Sequence, residues 1–127
     1  MDKIFLNKKL VAIHARQFPD TPMVSVNDPQ GALQLLTMKR GKGEVVKAHT
    51  HIPTRRTTET LQECLIVIKG SVRYDFFDES GTCFKKVVVK EGEAMLILGV
   101  ALSVEFLEDS CVYELKNGPF LEDKELV

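Results

Sequence analysis

The sequence predicts an all-β fold, an antiparallel β-barrel of the jelly-roll type. Short apolar runs recur along the chain and are separated by turn signals every 8 to 12 residues, as in sandwiches and barrels. No 3.6-residue hydrophobic period is sustained over 12 or more residues, so long helices are not expected. The 127 residues are 44% hydrophobic and 28% charged, which suits one domain with a real core.

The first half of the chain predicts four strands and one long loop. We expect strands over residues 10–14, 23–26 and 33–38, separated by turns that contain proline, glycine and asparagine. A fourth strand is expected over 45–51, where two histidines stand two residues apart. The polar, threonine-rich stretch 52–62 is then expected to be a loop.

The second half predicts six further strands in a closely spaced succession. The expected ranges are 64–69, 71–77, 82–89, 94–98, 102–107 and 111–115. Asp78-Glu79-Ser80-Gly81 has the composition of a hairpin turn. The tail from 117 onward carries a Gly-Pro step and then charges, so we expect it to run over the surface or to form one short turn of helix.

Charge and targeting signals exclude several classes of protein. The net charge of −1 gives no electrostatic reason to bind nucleic acid or an anionic membrane. The N-terminus lacks the apolar core of a signal peptide, and the longest apolar run, 94–104, is too short to span a bilayer. Three cysteines without CxxC spacing indicate reduced, mostly buried thiols. We therefore expect a cytoplasmic protein.

The strongest chemical signal is the pair His49 and His51 followed by Glu63. On a strand, a spacing of two places both imidazoles on one face. If the strands pair, the carboxylate that opens the next apolar run can lie beside them. Two imidazoles and one carboxylate suit a divalent ion such as Fe, Mn, Ni or Zn. The alternative is a set of polar groups that hydrogen-bond to one another and to water.

These residues resemble the first motif of the cupin family. Gly43, His49, His51, Glu63 and Gly70 stand at the offsets of that motif, with a longer gap between His51 and Glu63 than is usual. The resemblance covers roughly residues 33–120 and implies a β-barrel with a metal near its mouth. In the resulting division, 33–117 form the barrel of a single domain spanning 1–127, residues 1–32 supply N-terminal strands, and 118–127 form the tail.

The second cupin motif is incomplete in this chain. Gly92 is present, but the proline position is Leu98. The histidine position is Ser103 by strict counting, or Leu102 when the residues that follow the histidine are aligned. Neither is a strong metal ligand, so the resemblance implies a site with three protein ligands and open positions.

A narrower resemblance is carried by Gln62-Glu63, by the stretch 70–78 and by Glu114-x-Lys116-x-Gly118-Pro119-Phe120. These patterns are similar to small stand-alone bacterial cupins found among genes for surface polysaccharides and sugar nucleotides. The resemblance implies a metal-dependent enzyme of the isomerase, epimerase or dioxygenase type that acts on a sugar, a sugar nucleotide or another small oxygen-rich metabolite, with Glu63 as ligand or catalytic base. The alternative is a non-catalytic module that binds or senses a small ligand with a degenerate metal site.

Three further residues are candidates for contact with a small-molecule substrate. Arg55 and Arg56 lie in the loop that interrupts the motif, and guanidinium groups suit phosphate or carboxylate; a solvated loop is the alternative. Tyr74 shares a strand face with Val72 and Phe76, and it is either a substrate contact or a core residue.

The runs 66–68 and 95–98 are apolar on both faces of their predicted strands. One face can fill the barrel, and the other needs a second sheet or a second subunit. We therefore expect a homodimer.

Overall fold

The computed structural model describes residues 1–126, and over this range it is built from β-strands without an α-helix. The predicted all-β, antiparallel fold class is confirmed. The ten strands are β1 (Asp2–Leu6), β2 (Lys9–Ala15), β3 (Met23–Ser25), β4 (Leu36–Met38), β5 (Glu63–Lys69), β6 (Ser71–Phe77), β7 (Cys83–Lys90), β8 (Ala94–Ile97), β9 (Ala101–Phe106) and β10 (Cys111–Lys116).

The strands form three open antiparallel sheets. The largest has the order β1-β2-β8-β5-β10, a second has the order β7-β6-β9, and β3 and β4 make a two-stranded ribbon. The strands β9 and β10 follow one another in the chain, and each is an edge strand of a different sheet. Within residues 1–126 these two edge strands do not pair with each other, so the two sheets are not closed into a barrel here.

The main core lies between the five-stranded and three-stranded sheets. Along β6, Val72, Tyr74 and Phe76 are buried, whereas the residues between them are half-buried. This alternation gives β6 one face in the core and one toward solvent. Val67 and Met95 meet them from the larger sheet in one continuous apolar cluster.

The other face of the five-stranded sheet has a smaller core of its own. Ile13, Cys64 and Leu96 are buried there under apolar side chains of the segment 26–35. The side chain of Asn27 stabilises this covering segment, because it donates to Leu33 O at 2.8 Å and accepts from Leu35 N at 3.0 Å. The predicted two-sided apolar character of β5 and β8 is thus satisfied in part by the chain itself.

The structure adds one strand to the sequence prediction and removes another. β1 is an additional strand, and it pairs with β2 through a two-residue turn in which Asn7 and Lys8 both have positive φ, 51° and 67°. The strand expected over 45–51 is wrong, since this stretch is exposed and lies outside all sheets. The tail over 118–126 runs exposed over the surface, without a turn of helix.

The three cysteines are free, but only Cys64 is buried; Cys83 is half-buried and Cys111 is exposed. Burial raises the pKa of the Cys64 thiol to about 11, so this thiol is inert packing material. The expectation of mostly buried thiols is therefore correct for one position of three. Among residues 1–126, no helix has the length and apolar character needed to cross a membrane.

Candidate functional site

Glu63 is the first residue of β5, and its side chain lies on the face that points between the two large sheets. Its partner on β8 is Ile97, and the residues two and four positions further along β5, Leu65 and Val67, belong to the main core. The Glu63 side chain is only 22% exposed. A carboxyl group at the end of an apolar core is harder to ionise than a surface carboxylate.

Two charged residues of β10 accompany Glu63 on the same face. Lys116 is its direct cross-strand partner, and Glu114 lies two pairs further along the ladder, opposite Leu65 and on the same side. The Lys116 Nζ atom lies 3.7 Å from Glu63 Oε2 and 3.9 Å from Glu114 Oε1. One ammonium group thus stands close to two carboxyl groups.

The pKa of Glu63 is raised above its ordinary value of 4.5. Burial of the carboxyl is the largest cause, followed by a hydrogen bond with Glu114 and by the negative charge of that residue. The positive charge of Lys116 acts in the opposite direction and is the weaker influence. Beside Glu114, the Glu63 carboxyl therefore retains its proton more readily than an isolated glutamate.

Tyr74 brings a phenol to the same region from the opposite sheet. The residue is 2% exposed, and its ring stacks on Phe76 with 5.6 Å between ring centroids. Burial raises the pKa of the phenol, and the charges of Glu63 and Glu114 raise it further. Tyr74 is therefore a core residue that stays protonated at neutral pH and whose titration is influenced by both carboxyl groups.

His49 and His51 lie in the exposed segment between β4 and β5. Their rings make an edge-on contact with centroids 5.3 Å apart, and His49 Nδ1 donates to Lys47 O at 2.7 Å. This bond places the proton on Nδ1 and leaves Nε2 as the free acceptor, which is the arrangement found in metal-binding histidines. The two imidazoles are thus together, as the spacing predicts, but they are not on a strand.

The three predicted metal ligands do not form a site in this arrangement. Within the described range 1–126, no group of three His, Cys, Asp or Glu side chains is placed to hold a metal ion. Glu63 is engaged with Glu114 and Lys116 instead. As arranged, these three donors do not fit a three-ligand metal centre.

The two arginines of the loop are also exposed. Arg56 Nη1 donates to Thr54 O at 3.3 Å, a local bond within the loop. This matches the solvated-loop alternative for Arg55 and Arg56. In the second motif, Leu102 packs against the main core and Ser103 is exposed, so position 102 is the one that faces the interior.

Sequence reasoning missed Glu114 and Lys116 as site residues. They enter it only as part of the narrower resemblance, because an edge strand with two charged positions looks like a solvated surface. The signal that could have found them is the i, i+2 spacing of opposite charges at the end of a strand, which places both on the face used by Glu63 once β10 pairs with β5.

No protein-family model, no curated protein and no solved structure matches this chain.

Proposed function

We propose that this chain binds a small, oxygen-rich metabolite of the sugar or sugar-nucleotide class at the end of the sandwich beside Glu63. The observation that carries the proposal is the half-buried carboxyl of Glu63 beside the exposed carboxyl of Glu114, with Lys116 within 4 Å of both. Sugar hydroxyls both donate and accept hydrogen bonds. A site with two neighbouring carboxyl groups and one ammonium group offers both acceptors and donors for such hydroxyls.

The reaction that this arrangement supports best is proton transfer, as in an isomerase or epimerase acting on a keto sugar. Isomerisation removes a proton from a carbon next to the carbonyl and returns one to a neighbouring atom, so it needs a base and an acid and no net oxidation. A glutamate whose pKa is raised is a stronger base, when ionised, than an ordinary surface glutamate. Glu63 is the proposed base, and Lys116 is placed to balance the negative charge that develops on the substrate oxygen.

The alternative without catalysis is a module that binds the same ligand class and transfers no proton. Both hypotheses predict binding, and only the enzyme predicts exchange of a carbon-bound proton with solvent. Saturation-transfer NMR with a panel of monosaccharides and nucleotide sugars tests binding. Incubation of the same panel in D2O, followed by loss of carbon-bound proton signals, tests catalysis.

Substitution of Glu63 and of a control residue tests whether binding and proton exchange depend on the Glu63 carboxyl. We expect Glu63→Gln to abolish deuterium incorporation and to weaken binding, because the amide cannot accept the proton. Glu91→Gln is the matched control, since Glu91 is exposed in the turn between β7 and β8, at the opposite end of β5. Binding without deuterium incorporation would select the non-catalytic module, and failure of every member of the panel to bind would contradict the proposed ligand class.

The second candidate function is that of a cupin-type barrel that binds a divalent metal ion. It is favoured by the free Nε2 of His49 beside His51 and by the unpaired edge of β9. If the segment 45–51 added to that edge as a strand, it would extend the smaller sheet toward closure of the barrel and would turn the imidazoles inward. Such a metal would be held by His49, His51 and Glu63 and would polarise a substrate oxygen.

Calorimetric titration with Ni²⁺ and Zn²⁺ separates the two candidates. The metal-dependent candidate predicts stoichiometric binding that is lost in His49→Ala and in Glu63→Gln. It also predicts tighter binding in Leu102→His than in Ser103→His, because Leu102 is the residue that faces the core. Absence of stoichiometric binding in the wild type would rule out the metal and leave the carboxyl pair as the site.

A further inference from the structure

The β3–β4 ribbon has one apolar face that the rest of the chain does not cover. In its register Met23 lies opposite Met38 and Ser25 lies opposite Leu36, so these four side chains share a face. Met23 and Met38 are 52% and 51% exposed, whereas Thr37, on the other face, is buried. The burial of Thr37 means that the other face of the ribbon rests in part on the rest of the chain, whereas the methionine face is open to solvent.

A second uncovered apolar surface lies on the five-stranded sheet, on the outer side of β5 and β10. Tyr113 pairs with Ile66, and Leu115 pairs with Cys64, whose side chain belongs to the smaller core beneath segment 26–35. Tyr113 is 67% exposed and Leu115 is 48% exposed. The covering segment 26–35 packs on this sheet face but leaves the β10 side chains open.

The outer face of the smaller sheet is different in character. Arg73 lies 2.8 Å from Asp75 and 3.1 Å from Glu105, and Lys86 lies 3.0 Å from Asp75. These charges satisfy one another in water and make a face that does not require cover. The two apolar surfaces, the ribbon face and the β5–β10 face, therefore differ from the outer face of the smaller sheet.

We propose that a second copy of this chain covers both surfaces, with the β3–β4 ribbon of each copy lying on the outer β5–β10 face of the other. Within one chain the ribbon face and the sheet face are both exposed, so they do not cover one another. Two copies related by a two-fold axis provide each surface with its counterpart twice, and the contact closes without leaving a free apolar face. The unpaired edge of β10 borders the same contact.

The area available reaches the lower limit that a specific dimer needs. A large side chain offers roughly 200 Å² when fully exposed, so five side chains that are about half exposed offer on the order of 500 Å² per copy. Met23, Leu36, Met38, Tyr113 and Leu115 are those five. Two copies together bury on the order of 1,000 Å², which is the lower bound for a specific interface, and the backbone and neighbouring side chains add to it.

Light scattering after size-exclusion chromatography tests the proposal at micromolar concentration. We expect the wild type to have twice the chain mass of 14.3 kDa. Met38→Glu, on the ribbon, and Leu115→Lys, on the sheet face, should each shift the mass to that of the monomer. Val88→Glu is the matched control, because Val88 is an exposed apolar residue on the outer face of the smaller sheet, and this variant should remain a dimer.

Mixing the two charged variants tests the reciprocal geometry. In the mixture, the acidic ribbon of the Met38→Glu copy meets the basic sheet face of the Leu115→Lys copy, and the second ribbon–face contact is unaltered, so dimers should reappear. Far-UV circular dichroism of each variant checks that the strands are intact, and recovery on mixing shows independently that both variants are folded. A monomeric wild type would overturn the proposal. So would a dimer that Leu115→Lys dissociates and Met38→Glu does not, because that dimer would join two sheet faces without the ribbon.

Discussion

Glu63 on β5 and Lys116 on β10 are direct cross-strand partners, and their charged atoms are 3.7 Å apart. An ion pair of this kind would by itself lower the pKa of the carboxyl. The pKa of Glu63 is instead raised, because burial and the neighbouring Glu114 outweigh the lysine. Ionising Glu63 therefore costs more free energy in the folded state than in the unfolded chain, so the stability of the protein should depend on pH.

We predict that Glu63→Gln is at least as stable as the wild type at pH 7. The folded protein holds the Glu63 proton more tightly than the unfolded chain, whose pKa is near 4.5. The contribution of Glu63 to the free energy of unfolding is therefore greatest below pH 4.5 and falls as the pH rises through the folded pKa. Removing the charge should recover at most about 1 kcal/mol at pH 7, because the site is partly open to solvent.

Urea unfolding of both proteins from pH 4 to pH 8 checks this prediction. The difference between Glu63→Gln and the wild type should be largest at pH 7 to 8 and should shrink toward pH 4. Glu91→Gln should show no such trend. A Glu63→Gln variant that loses stability at pH 7 and regains it in acid would show the opposite sign and would contradict the raised pKa.

Gly70 joins β5 to β6 with φ of +93°, and an added Cβ atom would lie 2.7 Å from Asp109 O and closer still to Ser110. We predict that Gly70→Ala lowers the free energy of unfolding by about 2 kcal/mol or more, from the positive φ and the close contact together. Gly81→Ala is the matched control, because Gly81 has a φ of +82° with open space around it. Denaturant unfolding should show a loss of only about 1 kcal/mol for this control, and equal losses would argue against the close contact.

Phe76 is fully buried between the two large sheets, in contact with the rings of Tyr74 and Phe84. We predict that Phe76→Ala costs about 3–5 kcal/mol, because it leaves a cavity at the centre of the main core. Phe120→Ala should change stability by about 0.5 kcal/mol or less, since Phe120 is exposed in the tail. Denaturant unfolding of the two variants measures both values, and a small loss for Phe76→Ala would contradict the assigned packing.

Much of the strand arrangement can be predicted from the sequence, because alternation along strands such as β6 is a direct consequence of packing one face on a core. β1 escapes prediction since only Ile4 of its five residues is buried, and its turn uses Asn7-Lys8 in place of an Asn-Gly signal. The segment 45–51 has the composition of a strand, but a strand also needs a partner edge. Val45 and Val46 make no such pairing and remain exposed.

The site is also only partly predictable, because strand pairing brings its residues together. Glu63 can be identified from its own position, at the start of an apolar run. Its partners Glu114 and Lys116 are about fifty residues away along the chain and meet it only through the register of β5 with β10. Register depends on the bulge near Cys111 and on the neighbouring strand, and neither is visible in the local pattern.

The raised pKa of Glu63 beside Glu114 is tested most directly by carbon-detected NMR titration of the glutamate carboxyl groups in the wild type and in two variants. The structure predicts a Glu63 pKa above 4.5 in the wild type. That pKa should fall in Glu114→Gln, because a hydrogen-bond partner and a negative charge are removed, and it should rise further in Lys116→Met. A Glu63 carboxyl that titrates at its ordinary value and responds to neither substitution would contradict the carboxyl pair and the function proposed from it.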